Sequence, residues 1–230
     1  MSKVAEIKQR LKDLIEHAMI FNGDREAKTE PAIQVNAVLN LASPIVLIAG
    51  KNASGKSFIV RHLASIAANK DISVRGVSMK NRTAEHGIAR LSVFGSETDS
   101  STGVNSVKAV MKGMVATVDE EDDESLLILD EPDIGLAEEY ASALGDYIGS
   151  MATQFNAESK LLVIVSHSRA LYRTLLDHLE VAPSRLNFGD QSFSFDKWLN
   201  EPPEQLDRNA LEELLVRDKA VRRAISKYTK

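Results

Sequence analysis

The residues with the most evident chemistry are Gly50-Lys51-Asn52-Ala53-Ser54-Gly55-Lys56-Ser57. They fit the pattern G-x-x-x-x-G-K-[ST], in which backbone N–H groups turn inward around phosphate oxygens. Glycines permit the close approach and the unusual dihedrals of such a loop. A helix opening at Lys56 presents its positive end to the same anion. Gly50, Asn52, Ala53, Ser54, Gly55, Lys56 and Ser57 are thus expected to hold phosphates. Lys56 would reach the β- and γ-groups during catalysis, and the Ser57 hydroxyl would be a ligand of Mg²⁺.

Two more polar pairs end apolar runs. Leu126–Leu129 leads into Asp130-Glu131-Pro132, and Leu161–Val165 leads into Ser166-His167. The carboxyl end of a parallel strand faces the ligand crevice. There Asp130 is expected to hold Mg²⁺ through water, and Glu131 to polarise an attacking water as general base. A neutral His167 can donate to a γ-phosphate oxygen or orient that water. His17, His62, His86 and His178 have no partner pattern and read as surface or packing residues.

The elements that must position these groups follow from periodicity. Val4, Ile7, Leu11, Leu14, Ile15, Ala18 and Met19 predict an amphipathic helix over residues 3–21, ended by Asn22-Gly23-Asp24. Ile33–Leu41 reads as a strand, and Ile45–Ala49 as a strand buried on both faces. A helix is expected from Lys56 to Ala68, a second core strand at Ile72–Val77, and a helix at Val104–Val118. Residues 80–100 are polar and carry no clear period. Further helices are expected at Ala137–Phe155, Ser168–Leu179 and Glu204–Tyr228, with two short strands around a turn at Arg185–Phe195. Apolar strands alternating with helices imply an α/β fold with a largely parallel sheet.

The chain has 230 residues, no cysteine and a net charge of −5. That excludes disulfides and thiolate metal sites, fits a reducing cytoplasm, and argues against a wholly basic nucleic-acid surface. The N-terminal residues mix charge with apolar residues and do not read as a secretory signal; no apolar run is long enough to span a membrane. Asp119–Glu124 is a dense acidic run. From Arg208 onward there are seven Lys or Arg and three Asp or Glu, a locally basic segment. Both read most simply as solvated segments.

Taken in order, the three motifs resemble the ABC-type ATPases, in the soluble branch that includes the SMC and RecF heads. GKNASGKS is similar to Walker A, LLILDEP to Walker B with its glutamate, and VIVSH to the switch-histidine loop; the resemblance covers about residues 33–195. It implies ATP and Mg²⁺ as ligands of an ATPase core over residues 31–200. An N-terminal helix and linker (1–30) would precede that core and a helical basic tail (201–230) follow it. Ser101, Thr102 and Gly103, within Ser100–Asn105, stand where the family carries its LSGGQ-like signature, which touches the γ-phosphate held by the opposite subunit. Asp133–Ala137 occupies the D-loop position, with Ala137 in place of the usual aspartate.

Departures from the family narrow the reading. Only 74 residues separate Lys56 from Asp130, so the helical subdomain is small or missing. No glutamine lies between Gln34 and Gln154, so the Q-loop residue is absent and a transporter role is disfavoured. No aromatic residue is clearly placed to stack on adenine; Phe21 is a candidate. The resemblance implies a cytoplasmic homodimer formed on ATP and released by hydrolysis, in DNA repair, recombination or phage–host conflict, with DNA or a protein effector as partner. The competing expectation is an ATP-dependent assembly module that turns over slowly and docks through the acidic run and the N-terminal helix. A small-molecule kinase is disfavoured by the Asp-Glu-Pro and strand-end histidine pattern.

Overall fold

In chain order the elements are α1 (Lys3–His17), α2 (Met19–Asn22), β1 (Val35–Val38), β2 (Ile45–Gly50), α3 (Lys56–Asn69), β3 (Ser73–Ser78) and α4 (Thr102–Asp119). They continue with β4 (Ser125–Asp130), α5 (Glu138–Ala152), β5 (Lys160–Val165), α6 (Arg169–Leu176), β6 (Ser184–Phe188), α7 (Phe195–Asn200) and α8 (Asn209–Tyr228). The computed structural model describes residues 2–23, 31–78, 101–120 and 123–229. Residues 80–100, His86 and Ser100 therefore lie outside the described residues.

The strands form one six-stranded sheet in the order β1-β6-β2-β5-β4-β3. Every neighbouring pair is parallel except β1 with β6. The most apolar runs take the centre: every residue of β2 and β5 is buried. Alternate side chains then feed two cores, one on each face. Val46, Ile48, Ile128 and Val163 pack with α1, α2, α3 and Val221 of α8. Leu47, Leu127, Leu129 and Ile164 pack with α4, α5, α6 and α7. The result is an α/β fold with a mostly parallel sheet between two helical layers.

Several expectations shift. The N-terminal helix is two helices, broken where Ala18 is extended; the Asn22 amide donates to the Ile15 carbonyl at 2.9 Å and so caps the end of α1. β3 is an edge strand, not a core strand, because among the described residues its one partner is β4. The second strand expected at Ser192–Phe195 is instead a turn that leads into α7 at Phe195. Phe195, Trp198 and Leu199 are spaced for a helix, and the Ser194 hydroxyl caps it by accepting from Lys197 N at 3.1 Å. α8 begins at Asn209, where Asp207 accepts from Asn209 N at 2.9 Å.

The acidic run is more than an exposed connection. Glu120 pairs with Arg75 of β3, and Glu124 accepts from Lys3 N at 2.6 Å. The apolar face of α1 is also occupied: Val4, Ile7, Leu11, Leu14 and Ile15 are all buried in the molecule's own core, so only the polar face of that helix is left open to a partner. Among the described residues no helix is long and apolar enough to cross a membrane.

Candidate functional site

β2, the Gly50–Gly55 turn and α3 form the strand–phosphate loop–helix unit of P-loop NTPases. Serine side chains cap α1, α4, α6 and α7 by accepting from a backbone N–H. Gly55, at φ 100°, opens α3 without a side-chain cap. The first N–H groups of α3 thus keep the orientation an anion requires. Gly50 sits at φ 122°, and a Cβ there would lie 2.1 Å from the Phe188 carbonyl oxygen, so no other residue fits. Ala53 takes a left-handed φ of 57°, a strained conformation for a non-glycine residue inside the loop. The loop is tied down by Ser54 Oγ donating to Lys51 O at 2.6 Å and by Lys51 N donating to Phe188 O at 2.9 Å.

Lys56 is buried beneath this loop. Its ammonium donates to the carbonyls of Gly50 at 3.1 Å and Lys51 at 2.8 Å. Burial pushes its pKa down to about 8, against the opposing pull of Glu131 and Asp130. It is still mainly charged at neutral pH, and its charge reaches both carboxylates. Ser57 follows it in the first turn of α3.

β5 lies between β2 and β4, so its tip brings His167 between the loop and the acidic pair. Burial, and then the charge of Lys56, push the His167 pKa down to about 4, which keeps the imidazole neutral at pH 7. His167 Nε2 stands 3.8 Å from Glu131 Oε1. With a neutral ring this is proximity rather than an ion pair. Glu131 sits at φ 56°, again left-handed, with its N–H held by the Val165 carbonyl at 2.8 Å. Two of the three left-handed non-glycine residues among the described residues, Ala53 and Glu131, therefore belong to this one site.

Supporting contacts lace the strand tips together. Ser166 Oγ donates to Asp133 Oδ1 at 2.7 Å and accepts from Ser168 N at 2.9 Å. The fully buried Tyr172 hydroxyl lies 2.8 Å from the Ile48 carbonyl and 3.1 Å from that of Ile164, bridging β2 and β5 just below the site. Burial raises its pKa well above the usual phenol value, so it remains a donor. Sequence reasoning missed this bridge, because a tyrosine on an amphipathic helix does not announce which strands it spans.

Asp130 ends β4 beside this cluster, and Ser57 stands on the α3 side. Among the described residues no group of three or more His, Cys, Asp or Glu could hold a metal by itself. One hydroxyl and one carboxylate suit Mg²⁺, which keeps several waters and shares phosphate oxygens, better than a cation needing an all-protein cage.

Ser101 caps α4, Thr102 opens it, and Gly103 is buried against the turn that follows Glu131. A Cβ on Gly103 would lie 2.6 Å from the Gly135 oxygen, and one on Gly135 would lie 3.1 Å from Gly103 N. Ser106 Oγ also donates to Ile134 O, at 3.5 Å. The three signature-position residues are thus set beside the acidic turn of their own chain. Phe21, the adenine candidate, is buried with ring centroids 6.2 Å from Phe58 and 6.4 Å from Phe188; it is a core residue and cannot stack on a base. Of the other described histidines, His178 pairs with Asp146 at 2.8 Å and His62 stacks on Phe58.

No protein-family model matches the chain, and no curated protein does. Among solved structures it is similar to Cdc6p from Pyrobaculum aerophilum, with 18% identity and a TM-score of 0.38, over 94% of this chain and 49% of that one. It is also similar to the Orc1 protein of Aeropyrum pernix, solved in complex with DNA, with 15% identity and a TM-score of 0.38, over 96% of this chain and 58% of that one. The chain spans about half the length of these two proteins.

Proposed function

We propose that the chain is an ATP-binding and hydrolysing ATPase of ABC type that acts as a nucleotide-gated dimerisation switch. The observation that carries the reading is the convergence of Lys56, the Asp130–Glu131 pair and His167 around the Gly50–Gly55 loop.

The backbone N–H groups of Asn52 to Ser57 bind the phosphates, and Lys56 exchanges its loop carbonyls for phosphate oxygens. Ser57 and Asp130 hold Mg²⁺, which when bound neutralises charge on the phosphate oxygens. Glu131 accepts a proton from the attacking water, and the 3.8 Å gap to His167 lets the neutral imidazole orient that water or donate to the γ-phosphate. Ser101 and Thr102, exposed at the start of α4 with Gly103 packed beneath them, complete the site of a second copy across the dimer.

Glu131→Gln tests both halves of the proposal. The variant should bind ATP, stop hydrolysing it, and sediment as a dimer in ATP and a monomer in ADP. A variant that binds ATP yet stays monomeric at high concentration removes the dimer switch while leaving nucleotide binding in place.

The setting of DNA repair, recombination or phage–host conflict rests on the family resemblance and on the basic C-terminal segment. Within that segment Arg222 is already paired with Asp218 at 2.8 Å. DNA binding that weakens steeply with salt, and with Arg223→Ala, would support it.

A further inference from the structure

We propose that Arg217 of α8 is a second cation of the triphosphate site and contributes selectively to the binding of ATP over ADP. This rests on the reading of the loop as a nucleotide site. Three consecutive loop carbonyls face cations: Lys56 Nζ takes those of Gly50 and Lys51 from below, and Arg217 Nη1 stands 3.5 Å from that of Asn52. The lysine of such a loop reaches the β- and γ-phosphates. The guanidinium stands beside the next carbonyl of the same loop.

Its placement is built into the fold. Val221, one turn further along α8, is buried in the core that includes α3, and Ile225 packs against it. The Tyr228 ring meets Phe58 of α3 edge-on at 5.8 Å. The helix that carries Arg217 is thus anchored on the helix that opens at the phosphate loop. Glu204, from the segment leading into α8, reaches Lys51 of the same loop at 4.0 Å.

The recorded bond of Arg217 is at the long limit for a hydrogen bond, to a neutral carbonyl. Asp218, its neighbour in the chain, is taken by Arg222. A half-buried guanidinium with so weak a partner gains much more from phosphate oxygens, which it binds through charge-assisted and often bidentate bonds. This assignment removes Arg217 from the basic segment considered for nucleic acid.

The test is calorimetric titration of the full chain with ATP and with ADP, each with Mg²⁺. Arg217→Ala should weaken ATP about tenfold and ADP about twofold or less, with Arg217→Lys intermediate and Arg222→Ala like the parent protein. The ligand-free melting temperature of Arg217→Ala should match the parent. Equal losses for both nucleotides with a lowered melting temperature would make Arg217 a structural tie and overturn the proposal, as would an unchanged ATP affinity. If the parent chain itself binds neither nucleotide, the nucleotide reading fails along with this one. If the parent binds and Arg217→Ala binds equally well, only this assignment fails.

Discussion

The two ends of the sheet use the same device for different purposes. At the carboxyl ends of the strands, Lys56 is buried against the carbonyls of Gly50 and Lys51. At the opposite end, Lys8 is buried against the carbonyls of Ser43 at 3.4 Å and Ala157 at 3.1 Å, just before β2 and β5 begin. Lys160, the first residue of β5, likewise takes the carbonyls of Glu120 and of Asp123, the latter at 2.6 Å. An ammonium buried among carbonyls is therefore not a signature of function in this fold. What separates the ends is the company. Around Lys56 stand left-handed Ala53 and Glu131, two carboxylates and a neutral imidazole, while Lys8 and Lys160 hold loops to strand starts.

The strongest way to break this contrast is to remove each lysine. Lys56→Ala should weaken ATP by about 100-fold or more, because phosphate loses its charge-assisted partner, and should also cost about 2–3 kcal/mol of stability, because two loop carbonyls lose the same donor. Glu131→Gln should lower turnover by about 100-fold or more in a single-turnover assay and leave ATP affinity near that of the parent. Lys160→Ala should cost stability alone. Two carbonyls lose a charged donor, so denaturant unfolding should report a loss of about 2–3 kcal/mol, with ATP affinity within about twofold. An ATP defect in Lys160→Ala as large as that of Lys56→Ala would erase the distinction between the two ends.

A smaller effect sharpens it through pH. The folded-state pKa of His167 is pushed down to about 4 from 6.5. The unfolded chain therefore binds more protons between those values, so this group's contribution to stability rises with pH through that window and is lost on acidification. His167→Asn should flatten the stability profile between pH 4 and 6.5, read by urea denaturation at fixed pH.

The chemistry of the upper end was legible in the sequence because each part is local: a glycine-bounded loop after an apolar run, acids after another, a histidine after a third. The lower end was not. Lys8 meets Ala157 across 149 residues and Lys160 meets Glu120 across 40, and lysines in charged-looking segments give no sign of burial. Strand order was also hidden, since β2, β4 and β5 have nearly the same apolar composition and nothing in it says that β5 takes the middle. Phe21 was misread because aromatic character does not separate a base-stacking surface from a core position. Phe195 was misread because Ser-Phe-Ser-Phe alternates at period two just before the helical spacing of Trp198 and Leu199 takes over.

Gly103 and Gly135 bring the backbone at the start of α4 directly against the turn that follows Glu131. Close-packed interiors transmit displacement rather than absorb it. A small push on the first turn of α4 is thus passed on to the turn that follows Glu131, making the helix a lever whose short arm ends beside that carboxylate.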